Sequence, residues 1–202
     1  IASPYFLNIK NILNVLSSTA ILGIMAAGLF VAMLLGAMDV SQYAVVAFST
    51  SIVALAARSG MSTIVVILFG FLVAIACGAF NGFAVAFMKI SPIITTLGTM
   101  AIFRGFAYLL TQSRTLMVTG SFFQTIGRGR FLGIPLPIYI MAVVFIVTHI
   151  MLKYTAFGRK VFAVGGNPRA SYLSGINIKM IRFFGLIVSA ATAGIAGDRK
   201  ST

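Results

Sequence analysis

Residues 63–88, TIVVILFGFLVAIACGAFNGFAVAFM, carry no charged side chain. An uninterrupted apolar run of this length exceeds the roughly 20 residues that a helix needs to cross a bilayer. Further apolar runs cover 20–36, 40–57, 93–111 with Arg104 inside it, 135–152 and 183–197. Most connections between them carry a basic residue, a proline or a cluster of glycines. The pattern predicts an all-α, polytopic bundle of transmembrane helices, with residues 1–197 forming one membrane domain and 198–202 a polar tail.

Composition supports the same class. Of 202 residues, 60% are hydrophobic and 8% are charged, whereas a soluble domain carries about 25% charged residues. The formal net charge of +13 comes from 15 basic and 2 acidic residues. No basic face with interleaved aromatics accompanies it, so nucleic acid is not the expected partner. The basic residues flank apolar runs, where anionic headgroups and topology control account for them. One cysteine, Cys77, and one histidine, His149, both within apolar runs, leave no material for a disulfide, a metal site or histidine-based catalysis.

The basic residues also set an orientation. The segment 153–182 holds Lys153, Arg159, Lys160, Arg169, Lys179 and Arg182, and the segment 112–134 holds Arg114, Arg128 and Arg130. The positive-inside rule places the first in the cytoplasm and the second outside. Counting back puts Lys89 inside, Arg58 outside, Asp39 inside and the N-terminus outside. A chain starting at Ile1 on the outer side fits an expectation that one span precedes it. The ending DRKST after an apolar segment fits an incomplete last span. Residues 1–19 read as an amphipathic lead-in.

Candidate chemistry is sparse. No phosphate-binding GxxxxGK[ST] loop occurs, and Gly127-Arg128-Gly129 is a glycine-rich loop on the outer side. This chain is therefore expected to bind no cofactor. Asp39, the one acid ahead of the tail, is followed three residues later by Gln42. That spacing favours a helix cap of the capping-box type over a proton or cation relay. Arg104, within MAIFRGFAYLL, either lines a polar pathway or snorkels to the outer headgroups. Gly78 and Gly82 form a GxxxG pattern suited to close helix packing. Asn81 and Thr96 either bond within the bundle or face a pathway. His149 reads as a packing residue rather than a proton carrier.

The stretch AVGGNPRASYLSGIN (163–177) is a separately bounded short helix in the most basic segment. Gly165 and Gly166 read as loose chain ahead of it. Asn167 is a favoured N-cap, Pro168 fits the first helical position, and Gly175 fits the position after the C-cap. Arg169, Ala170, Leu173 and Ser174 lie between. So short a helix needs a surface to pack on. Either membrane headgroups or a cytoplasmic protein partner would serve.

FGRKVFAVGGNPRASYLSGINI (157–178) closely resembles the cytoplasmic-loop motif of ribose-type ABC importer permeases, membrane subunits that carry monosaccharides. GAMDVS (36–41), FNGFAVAFMKISPIITTLGTMAIFRGFAYLLT (80–111) and FLGIPLPIYI (131–140) resemble further stretches of that family in the same order. The resemblance covers most of residues 4–197. It implies an incomplete type II importer bundle in the bacterial inner membrane. Implied partners are cytoplasmic ATP-binding subunits that use the ATP, a periplasmic sugar-binding protein and a second permease subunit, identical or not. It also implies that Gly166–Gly175 docks on the ATPase and that the chain is not itself an enzyme. A lone ion- or proton-coupled carrier is the alternative. Two departures stand out. Pro168 and Arg169 occupy positions where the family has acidic residues, and Gln42-Tyr43-Ala44 replaces Val-Gly-Ser.

Overall fold

The computed structural model describes residues 8–112, 114 and 129–200. Most of the stretch 115–134, including Arg128, Gly120 and Gly127, lies outside the described residues, as do residues 1–7 of the lead-in and Ser201 and Thr202 of the tail. The elements are α1 (Ile9–Leu34), α2 (Gln42–Arg58), α3 (Thr63–Ala86), α4 (Pro92–Thr111), β1 (Arg130–Phe131), β2 (Ile134–Pro135), α5 (Leu136–Tyr154), α6 (Ala156–Gly166), α7 (Pro168–Leu173) and α8 (Ile178–Lys200). Among the described residues, five helices are long and apolar enough to cross a membrane: α1, α3, α4, α5 and α8. The sixth expected span, α2, is a shorter apolar helix of 17 residues. Helix is the economical solution here, because lipid offers no partner to a free backbone N–H or C=O.

Helix α8 is the axis of the bundle. It packs along α3, α1 and α2, while α4 leans on α2, and α5 on α1. Its apolar stretch is 56% buried, against 17% for that of α5. Small residues permit the close approach. A Cβ on Gly78 would stand 2.9 Å from the Leu186 carbonyl oxygen, and one on Gly82 would stand 2.9 Å from that of Phe183. Both glycines of the GxxxG pattern are thus packing positions on α8. The outward faces carry exposed large apolar residues, such as Leu68 and Leu72 on α3 and Ile146 and Ile150 on α5, as a lipid-facing surface requires.

The directions alternate as the charge count expects. Ala74 lies by Gly194 while Gly82 lies by Phe183, so α3 runs antiparallel to α8. Gln42 bonds Ser189 and Thr50 bonds Gly197, so α2 runs parallel to it.

The structure corrects the reading of the segments at three places. The lead-in is not separate: α1 is one helix from Ile9. The last helix begins at Ile178 rather than 183 and continues through Lys200. The basic segment 153–182 contains a further helix, α6. Thr155 caps it by accepting from the Gly158 N–H at 3.2 Å. Gly165 and Gly166 form its last turn and are not a loose linker. A side chain on Gly165 would collide with the Leu34 carbonyl at the end of α1. Val161 and Val164 are fully buried with Leu35, Val85 and Leu186.

Candidate functional site

Two places hold most of the candidate residues: the short helix α7 at the basic end, and a buried polar cluster around the α1–α2 turn.

Helix α7 is bounded as its residues dictate. The Asn167 side chain accepts from the Ala170 N–H at 3.0 Å, and Pro168 opens the first turn. At the other end the Gly175 N–H bonds the Tyr172 carbonyl, and the Ile176 N–H bonds that of Ser171. This is a Schellman closure, and it needs the left-handed backbone that Gly175 supplies at φ +78°. The Ser174 hydroxyl donates to the Ala170 carbonyl at 3.0 Å. Ser171 is buried beneath, while Tyr172 and Leu173 are 71% and 79% exposed. Arg169 is exposed beside them. Seated against α6, this helix presents Tyr172 and Leu173 to its surroundings.

The same closure ends α1. The Gly36 N–H bonds the Met33 carbonyl, the Ala37 N–H bonds that of Ala32, and Gly36 has φ +66°. The chain then turns through Asp39 into α2. The capping box expected of Asp39 and Gln42 does not form. The N-cap position is Ser41, and it makes no side-chain cap bond. Asp39 Oδ1 instead accepts from the Ser41 N–H at 3.0 Å and the Ser41 hydroxyl at 2.7 Å, and Oδ2 accepts from the Ser189 hydroxyl at 2.7 Å. Gln42 Nε2 donates to Ser189 Oγ at 2.7 Å and to the Ser189 carbonyl at 3.1 Å. Asn81 Nδ2 donates to Ser41 Oγ at 2.8 Å. Tertiary contact with α8 has replaced the local cap.

Asp39, Ser41, Gln42, Asn81 and Ser189 are all buried. Ser189 lies about 10 Å along α8 beyond Arg182, at 1.5 Å per residue, so the carboxylate sits inside the helix bundle. Asn81 Oδ1 has no partner among the described residues, and neither does Thr95 Oγ1. Thr96 is buried against the same turn, its hydroxyl 3.4 Å from the Met38 carbonyl.

Arg104 stands apart from that cluster. It is exposed on α4, with Nε and Nη2 donating to the Tyr108 hydroxyl at 3.3 and 3.2 Å and its guanidinium over the Tyr108 ring. The structure therefore brings Asn81 and Thr96 together and leaves Arg104 elsewhere. His149 is exposed on α5, edge-on to Tyr154. Ser41 and Ser189 were missed by sequence reasoning. Ser41 stood beside Asp39 as a visible donor, whereas nothing in the sequence ties Ser189 to a residue 150 positions away. Among the described residues no group of three or more His, Cys, Asp or Glu could hold a metal.

Comparison with known proteins agrees with this architecture. The chain is 35% identical over 199 residues to the ribose import permease protein RbsC of Bacillus subtilis (strain 168), covering 98% of this chain and 62% of the relative. It is 36% identical over 199 residues to the RbsC of Haemophilus influenzae, covering 96% and 62%. It is 33% identical over 194 residues to the L-arabinose ABC transporter permease protein AraH of Azospirillum brasilense, covering 96% and 57%. The chain thus spans about three-fifths of the length of these relatives. No solved structure matches it. These relatives are transport permeases. The matching family model runs from residue 11 to residue 198, and the chain belongs to that family, described as the permease component of the branched-chain amino acid transport system.

Proposed function

We propose that residues 1–197 act as one membrane domain of an ABC importer permease that passes a monosaccharide across the bacterial inner membrane. ATP is used by cytoplasmic ATP-binding subunits, a periplasmic binding protein delivers the sugar, and a second permease subunit completes the pathway. The reading of the substrate rests on the relatives named for ribose and L-arabinose import. The observation that carries the coupling assignment is α7: a six-residue helix closed at both ends, with Tyr172 and Leu173 exposed at the basic end of the bundle. A helix this short is stable only against a surface, and it already has α6 behind it. Gly166–Gly175 is therefore assigned as the ATPase contact, with Arg169 carrying a charge opposite to that expected from the resemblance.

Asn81 and Thr96, both buried in this structure, are assigned to the polar layer behind the pathway, with Asn81 Oδ1 unpartnered among the described residues. Arg104 is assigned to an outward-facing wall shared with the second subunit. A lone proton-coupled carrier would draw on Asp39, and that carboxylate already accepts three hydrogen bonds from serines.

The test is uncoupling. Leu173 is exposed, so Leu173→Asp should leave insertion intact, and Gly175→Val strains the Schellman closure. In the reconstituted transporter the double variant should lose at least about tenfold in transport per ATP hydrolysed, a loss of the size expected from burying a charge in an apolar contact. Unchanged coupling would refute the assignment.

A further inference from the structure

Two connections meet at the basic end of the bundle and line an open cavity of about 940 Å³. The α3–α4 connection supplies Lys89 and Ser91, and the start of α8 supplies Lys179 and Arg182. Three cations thus face one space. The chain has 2 acidic residues to offset them. Asp39 is engaged with serines deeper in the bundle, and Asp198 stands at the opposite end of α8, about 24 Å beyond Arg182 at 1.5 Å per residue. Arg182 Nε is buried with no hydrogen-bond partner among the described residues. Two long helices also begin at the rim, α4 at Pro92 and α8 at Ile178, and helix starts favour negative charge. Lys89 holds a left-handed backbone, φ +60°, where glycine is the favoured residue.

The lining also includes the apolar Val85, Ile90 and Ile178. Cations and apolar side chains around one space, at the end of long apolar helices, match an amphiphile with an anionic head. We propose that this cavity seats the phosphate headgroup of an anionic phospholipid, with Lys89, Lys179 and Arg182 on the phosphate and the acyl chain against Val85 and Ile178. Free phosphate shares the cation chemistry but makes no use of the apolar side chains. Tyr172 and Gly175 of the α7 closure also line the cavity, so an occupant would brace α7 against the α3–α4 connection. The site is independent of which solute crosses the membrane.

The test is native mass spectrometry of the detergent-purified chain titrated with phosphatidylglycerol, with phosphatidylcholine of the same acyl chains, and with inorganic phosphate. Lys89→Gln/Lys179→Gln/Arg182→Gln should weaken phosphatidylglycerol binding by roughly tenfold or more. Lys153→Gln/Arg159→Gln/Lys160→Gln removes the same charge outside the cavity and should leave binding unchanged. Arg182→Gln and Lys89→Gln alone should each weaken it by about threefold. Equal binding by the cavity variants, an equal loss in the control, or phosphate binding with no preference for phosphatidylglycerol over phosphatidylcholine would each overturn the proposal.

Discussion

Asp39 is the residue on which the packing of three helices depends. Its carboxylate receives one backbone and two hydroxyl donors, and through Ser41 and Ser189 it ties the α1–α2 turn to Asn81 of α3 and Gln42 of α2. Removing it leaves buried donors unpaired, at about 1–3 kcal/mol for each group left unsatisfied. Asp39→Ala should therefore destabilise the bundle by about 3 kcal/mol in denaturation from mixed micelles. Asp39→Asn should cost less, because the amide oxygen still accepts from Ser41 and the amide nitrogen can donate to Ser189. Equal stability of the alanine variant and the parent would show the cluster to be incidental. The sequence made Asp39 visible as a lone acid, but pointed to a neighbour. The spacing to Gln42 is a local signal, and the partner that prevails is Ser189, brought in by the packing of α8.

At the scale of elements, glycines have two separable uses. Gly78 and Gly82 meet α8 backbone, so Gly78→Leu should abolish the α3–α8 contact and give aggregated or degraded protein in an expression and gel-filtration assay. Gly105 has nothing within 4 Å of the Cβ it lacks, and Gly105→Ala should leave stability unchanged or raise it by up to about 1 kcal/mol, as alanine favours helix. Loss of folded protein in the second variant would contradict this division. Helix α7 was legible to the residue, since Asn-Pro at one end and Gly at the other act locally. Helix α6 was not read, although Phe157, Val161 and Val164 already had helical spacing. Gly165 and Gly166 resembled a breaker, and the reason they belong to a helix, the approach to Leu34, is tertiary. Asn167→Ala should cost about 1 kcal/mol of local stability, seen as faster amide exchange across 168–173 with α6 unaffected.

For the whole molecule, apolar runs and basic flanks were enough to anticipate a polytopic helical bundle, because both act on each segment separately. Which helix is central was not readable: α8 has no more hydrophobic a sequence than α3, and its burial comes from the small residues its neighbours present. Orientation is directly measurable. With Cys77 replaced by alanine, Leu132→Cys should react with an impermeant maleimide applied outside, and Tyr172→Cys should react only after permeabilisation. Both positions are well exposed, at 84% and 71%, so the reverse labelling would invert the topology. The central claim is that transport draws its energy from a partner ATPase docked on α7. The most direct measurement is sugar uptake into proteoliposomes holding the permease, with and without the ATP-binding subunits and ATP, and with the proton gradient collapsed. Uptake that requires ATP and the ATPase and is indifferent to the gradient is predicted; uptake that persists without the ATPase and vanishes with the gradient would contradict the account.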